Sequence, residues 1–138
     1  PTPTGNTMIQ IRVYYEDTDA GGIVFYANYL KFFERARTEW LRGLGINQSS
    51  MAATTGQIFV VKNVEIQYRK PAGLDDLLTI QSTIQHLGSA SITFQQSAWR
   101  DTELLSESSV QVVCVDAETL RPAKFNPELR STLEKALD

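Results

Sequence analysis

A chain of 138 residues, 42% hydrophobic and 21% charged, carries enough sequence for one globular core and not for two. Its 13 basic and 16 acidic residues leave a net charge of −3, which argues against nucleic-acid binding, a function that calls for a basic surplus. One cysteine, Cys114, excludes an intrachain disulfide, and a single histidine without paired-ligand spacing gives a metal centre no support.

Residues 1–7 read as a disordered lead-in, without the basic and then apolar pattern of a secretory signal. No apolar run approaches the roughly 20 residues of a membrane span. With the lone thiol, these features lead to the expectation of a cytoplasmic protein. Residues 8–15 alternate, with Ile9, Ile11, Val13 and Tyr15 on one side, the pattern of a half-buried strand. Residues 16–22 are turn-rich and contain the pair Gly21-Gly22. From Asn28 the period lengthens. Tyr29, Phe33, Ala36, Trp40 and Leu44 form a helical stripe with Leu30, Arg37 and Leu41 beside it, while Lys31, Arg35, Thr38 and Arg42 lie opposite. The pattern predicts a helix over 28–44, with Asn28 as its N-cap and Gly43 or Gly45 as its stop.

Residues 47–55 read as a short helix or an irregular loop. Four strands follow: 59–69 with Val64, Ile66 and Tyr68; 77–85 with Leu78, Ile80 and Ile84; 90–99 with Ile92 and Phe94; and the apolar run 110–115. The short links 86–89 and 100–103 join antiparallel neighbours, because a parallel crossover needs about a dozen residues. Cys114 lies inside the last strand and reads as a buried structural thiol. Asn126, Pro127 and Glu128 then open a terminal helix reaching Leu137. The order defines a single α+β domain spanning 1–138. One amphipathic helix covers one face of a sheet, so the remaining apolar residues predict a homo-oligomer.

Glu16, Asp17 and Asp19 cluster just before the long helix. By themselves such acids read as solvated loop carboxylates that favour the helix dipole. Their neighbours point to chemistry. Gly21-Gly22 lets the backbone approach a ligand closely, and Ile23 to Tyr26 supply apolar walls beside the open amides of a helix start. Amides that hold a developing oxyanion, next to a carboxylate that attacks or activates water, suit acyl transfer.

Residues 12–29, RVYYEDTDAGGIVFYANY, resemble the signature of the 4-hydroxybenzoyl-CoA thioesterase family of hot-dog folds. The continuation LKFFERARTEWLRGLG, with VEIQYRKPAGLDD and VCVDAETLRP further on, is similar to the YbgC-type acyl-CoA thioesterases within it. The resemblance implies an antiparallel sheet wrapped round a central helix, hydrolysis of an acyl-CoA to free acid and CoA, no cofactor, and a dimer or homotetramer with its cleft at a subunit boundary. The family's catalytic aspartate matches Asp19. Its carbonyl-polarising backbone amide matches that of Tyr26, and the position of Tyr29 packs near the acyl site, with Phe25 and Tyr26 as further walls. Many YbgC-type proteins carry histidine where this chain has Tyr26; a backbone N–H survives that difference.

Arg69 and Lys70, before Pro71, are candidates for the phosphates of CoA, with a solvated strand end as the other reading. Glu34 is a fallback carboxylate on the helix, and pairing with Arg37 or Arg35 is its bland alternative. His86 reads as a surface turn residue. Two other functions compete. A hydratase or dehydratase on this fold pairs a carboxylate with histidine, and none lies between Asp19 and Asn28. A non-catalytic acyl-binding protein would use Asp19 only as a structural cap.

Overall fold

The structure, a computed structural model, describes residues 8–137; the expected lead-in at 1–7 lies outside them. Strand β1 spans Met8–Arg12 and ends earlier than the alternation suggested. The Val13 N–H donates to the Asp76 carbonyl at 2.9 Å, and the chain then tightens into a 3-10 turn, Tyr15–Asp17. Tyr15 is therefore 81% exposed and does not share the buried face of Val13.

Helix α1 runs Tyr26–Gly43, so it begins two residues before Asn28, which is not its N-cap. It buries Tyr29, Phe32, Phe33, Ala36, Arg37, Trp40 and Leu41, while Leu30 faces outward. Gly45, at φ +85°, takes the left-handed conformation that stops the chain from continuing as helix. Helix α2, Gln48–Thr55, is capped by Asn47, whose side chain accepts from the Ser50 N–H at 3.0 Å.

Strands β2 (Gln57–Tyr68), β3 (Leu77–Leu87), β4 (Ser91–Arg100) and β5 (Glu103–Asp116) complete a five-stranded sheet in the order β1-β3-β4-β5-β2. Every neighbouring pair is antiparallel. Strand β5 starts at Glu103, well before the apolar run that marked it in the sequence, because Ser106 and Ser108 occupy inward, buried positions. Strand β3 extends to Leu87, so His86 pairs with Thr93 inside the ladder and is exposed there, not at a hairpin tip. In β2, Val61 lies opposite Val112 and Asn63 opposite Gln111, leaving Lys62 as a bulge.

Two clusters fill the space between helix and sheet. The first packs Tyr29, Phe32, Phe33 and Ala36 against Ile11, Val13, Leu78 and Ile80. The second packs Trp40 and Leu41 against Ile92, Phe94 and Val112, and against Leu129 and Leu133 of α3, Pro127–Lys135. Each fully buried large side chain stabilises the fold by about 1.5–3 kcal/mol. As expected, Asn126 caps α3, accepting from the Leu129 N–H at 2.7 Å. Cys114 is buried in the second cluster, and burial pushes its thiol up, away from reactivity.

One polar chain crosses this interior. Arg37 Nη1 donates to Gln96 Oε1 at 2.9 Å, and Gln96 Nε2 donates to the Phe33 carbonyl at 2.9 Å and to Ser82 Oγ at 3.0 Å. Burial lowers the Arg37 guanidinium from its ordinary value, with the charge of Glu34 pulling the other way. No helix among the described residues is long and apolar enough to cross a membrane.

Candidate active site

The segment before α1 folds as a tight hairpin. Thr18 bridges Val24 and Ile23 bridges Gly73. The Asp19 N–H donates to the Ile23 carbonyl at 2.9 Å, and the Gly22 N–H donates to the Asp19 carbonyl at 3.0 Å. Gly22 sits at φ +80°, where a side chain is strained. The Gly21 N–H donates to Asp19 Oδ1 at 2.8 Å, and a Cβ on Gly21 would stand 3.2 Å from that oxygen. The paired glycines thus serve one purpose: they let the turn close over its own carboxylate. Asp19 is exposed, and among the described residues its Oδ2 accepts no hydrogen bond.

Asp17 does a different job. It is only 7% exposed, and its Oδ2 accepts from the Tyr14 N–H at 2.9 Å. Its main-chain carbonyl accepts from the Phe25 N–H at 3.2 Å and from Asn28 Nδ2 at 2.8 Å. Asn28 therefore spends its side chain tying the first helical turn to the acidic loop. Phe25, the residue at the N-cap, offers no side-chain cap. Its carbonyl accepts from the Asn28 N–H at 2.9 Å. The N–H groups of Tyr26 and Ala27 have no acceptor among the described residues, so two oriented donors stand open at the positive end of an 18-residue helix.

Aromatic rings flank these donors. Phe25 is 56% exposed and Tyr26 58%. The Tyr26 ring stacks on Tyr68, with centroids 4.4 Å apart and an interplanar angle of 25°. Tyr68 in turn lies against Tyr29 at 5.7 Å, and Tyr29 makes an edge contact with Phe32 at 5.9 Å. Tyr29 is 1% exposed and its hydroxyl has no partner among the described residues. Burial pushes its phenol up to about 12; the Ala72 backbone, which approaches without reaching hydrogen-bond geometry, and the Arg100 charge pull it back.

Arg69 and Lys70 follow Tyr68 at the end of β2, and both of their amides donate to the Leu105 carbonyl. Arg69 pairs with Glu107 and Lys70 with Glu103, the latter at 3.1 Å. Arg100 joins the same group, bridging Glu103 at 3.0 Å and Asp76 at 2.8 Å. Hydrogen bonds from Lys70 and then Arg100 hold the Glu103 carboxyl below its usual range. Burial raises that of Asp76, but the Gly73 N–H and Arg100 together outweigh it and bring it below. Glu34 is exposed, and no cation lies within ion-pair distance of it among the described residues. It lines a groove of about 680 Å³ between β1 and α1 that Asp17 also borders. It lines a second groove, about 310 Å³, together with Arg37. Asp19 borders neither.

The structure gathers Asp19, Phe25, Tyr26 and Tyr29 at the start of α1. To these it adds Tyr68, which the sequence marked only as an apolar strand position. Its partner Tyr26 lies 42 residues away, beyond the reach of local periodicity.

A long helix held in an antiparallel sheet, with an aspartate-bearing hairpin at the helix start, is the hot-dog fold of the thioesterases. The chain belongs to the Thioesterase superfamily, whose family model matches residues 21–107. That match takes in Phe25, Tyr26, Tyr29 and Tyr68 to Lys70, and begins just past Asp19. The chain is 46% identical over 121 residues to the acyl-CoA thioesterase YbgC of Haemophilus influenzae, covering 88% of this chain and 89% of that one. It is 36% identical over 132 residues to the long-chain acyl-CoA thioesterase FadM of Escherichia coli, covering 94% and 96%. Among solved structures, a probable thioesterase from Bartonella henselae superposes with a TM-score of 0.82 at 35% identity, covering 86% of this chain and 98% of that one.

Proposed function

We propose that this chain hydrolyses acyl-CoA thioesters to free acid and CoA at the start of α1, with Asp19 as the reacting carboxylate. The observation that carries the reading is the hairpin itself. One oxygen of Asp19 is held by the Gly21 amide while the other is open, and the same hairpin is bonded to a helix whose Tyr26 and Ala27 amides are unengaged. The names of its relatives agree.

A thioester carbonyl oxygen placed at the Tyr26 N–H gains stabilisation as negative charge develops on it. Asp19 then acts in one of two ways. As nucleophile, Oδ2 bonds to the carbonyl carbon, the C–S bond breaks, CoA leaves as thiolate, and water hydrolyses the resulting anhydride. As general base, Asp19 takes a proton from water as that water attacks, and the proton passes to the departing thiolate. Phe25, Tyr26 and Tyr29 wall the acyl group. Arg69 and Lys70 meet CoA phosphates by exchanging their glutamate partners for a more highly charged anion.

The working enzyme is a single cytoplasmic domain assembled as a dimer or tetramer, its cleft completed at a subunit boundary. Exposed Val61 and Val64 on the edge strand β2, with Leu30 on α1 and Phe25 just before it, support this assembly. Asp19→Asn should lower kcat by about 10²–10⁴-fold, the scale of general acid–base catalysis, with KM changing far less. A panel of short, long and aromatic acyl-CoAs, read by free-thiol release, supplies the assay. Near-normal turnover by folded Asp19→Asn would sink the mechanism, and light scattering at the single-chain mass of 15.5 kDa would sink the assembly.

A further inference from the structure

The start of α1 lacks the usual devices of a helix N-terminus. Its N-cap residue is Phe25, no side chain caps it, and its first turn holds no acid. Two functional amides in so poorly capped a turn need another anchor. Tyr68 supplies it from β2. Its Oη donates to the Tyr26 carbonyl at 3.1 Å, its ring stacks on Tyr26, and its other side rests on buried Tyr29. The ladder pair with Ser106, a fully buried residue, fixes the Tyr68 backbone.

The bond's position has a chemical consequence. The Tyr26 carbonyl and the Ala27 N–H belong to one planar, resonance-coupled peptide unit. A donor on that carbonyl draws charge toward the oxygen and makes the N–H at the other end a stronger donor, by roughly 10–30% in condensed-phase estimates. The preceding unit is arranged in the same way: the Phe25 carbonyl accepts from the Asn28 N–H at 2.9 Å, and the Tyr26 N–H is the open donor.

We infer that Tyr68 is a positioning residue for the thioesterase reaction: its hydroxyl and ring lock the first turn of α1 and polarise the Ala27 N–H, which joins the Tyr26 N–H as a second oxyanion donor. The inference rests on the oxyanion role proposed for the Tyr26 amide. Burial raises the Tyr68 phenol above its ordinary value, which keeps the hydroxyl protonated, and so a donor, at neutral pH.

Tyr68→Phe deletes the hydrogen bond and keeps a ring for the stack. With native Asp19 in place, kcat should fall about 3- to 10-fold, the scale of one neutral hydrogen bond, while KM stays within about twofold and Tm holds. Tyr68→Leu, which removes the stack as well, should lose about 10- to 100-fold. A spectroscopic arm separates polarisation from bracing. In an Asp19→Asn background, the infrared carbonyl band of a bound ¹³C=O acyl-CoA should shift back toward the free-thioester frequency when Tyr68→Phe is added. A Tyr68→Phe enzyme with native kcat would overturn the inference. So would a loss of kcat matched by a shift in KM or Tm with an unmoved carbonyl band, since that is what mere bracing produces. Rapid turnover by Asp19→Asn would instead indict the choice of carboxylate, and the kinetic arm, run with native Asp19, would still decide the role of Tyr68.

Discussion

Asp17 is the carboxylate against which Asp19 is measured, and the structure makes their separation quantitative. Asp17 is buried, and its Oδ2 satisfies the Tyr14 amide. Asp17→Ala leaves the bonds from the Phe25 N–H and the Asn28 side-chain amide to its carbonyl possible but orphans that half-buried N–H, at a cost of about 1–3 kcal/mol. For a chain of this length each kcal/mol moves Tm by roughly 3–4 °C, so the melt should fall by about 3–12 °C. Asp17→Asn retains an oxygen for Tyr14 and loses only the charge, so about 1 kcal/mol, or roughly 3–4 °C, is expected. Thermal melts by circular dichroism, run beside free-thiol assays well below the melting point, give both readouts. Asp17→Asn should stay far short of the 10²–10⁴-fold turnover loss set for Asp19→Asn. An Asp17→Asn protein that melts like the native chain yet loses as much turnover as Asp19→Asn would refute the reasoning and move the chemistry to Asp17.

Gln96→Leu should cost roughly 3 kcal/mol, because it strips the buried Arg37 guanidinium of its acceptor and the Phe33 carbonyl and Ser82 of their donor. Urea unfolding should show a lower midpoint at unchanged slope, and a Gln96→Leu, Arg37→Met double variant should recover part of the loss. Tyr29→Phe removes a hydroxyl that satisfies nothing, so Tm near pH 8 should hold or rise slightly. The same change tests a pH dependence. The folded phenol titrates at about 12 against an ordinary 10.0, so the folded chain holds that proton more tightly. The native protein should therefore lose stability as pH rises from 10 toward 12, and alkaline melts of Tyr29→Phe should show a shallower decline. An identical slope in the two proteins would remove Tyr29 as its source.

Periodicity carried the long helix, because Tyr29, Phe33, Ala36 and Trp40 repeat at helical spacing and all four are buried. It missed the helix start because Asn28 looks like a cap, whereas the turn is fixed from outside by the Asp17 carbonyl and Tyr68. The front of β5 was hidden by its buried serines: Ser106 Oγ donates to the Gln67 carbonyl at 2.8 Å, so a polar residue sits where the pattern seeks an apolar one. Around Asp19, glycine chemistry and the family resemblance pointed to the hairpin. The distinct job of Asp17 depends on contacts with Tyr14 and Phe25, which spacing does not encode.

The bulge at Lys62 sets which way β2 looks. Before it, odd-numbered Phe59 and Val61 stand opposite inward Cys114 and Val112; after it, even-numbered Ile66 and Tyr68 stand opposite inward Ser108 and Ser106. The extra residue inverts the phase of the strand. Were Lys62 paired as an ordinary ladder residue instead of bulged out, a β2 anchored at Phe59 would turn Ile66 and Tyr68 to the far side of the sheet and bring Gln67 toward the helix. The aromatic contact at the start of α1 thus depends on a parity change in mid-strand, and straightening the bulge into regular pairing would carry Tyr68 away from Tyr26 without touching any residue of the hairpin itself.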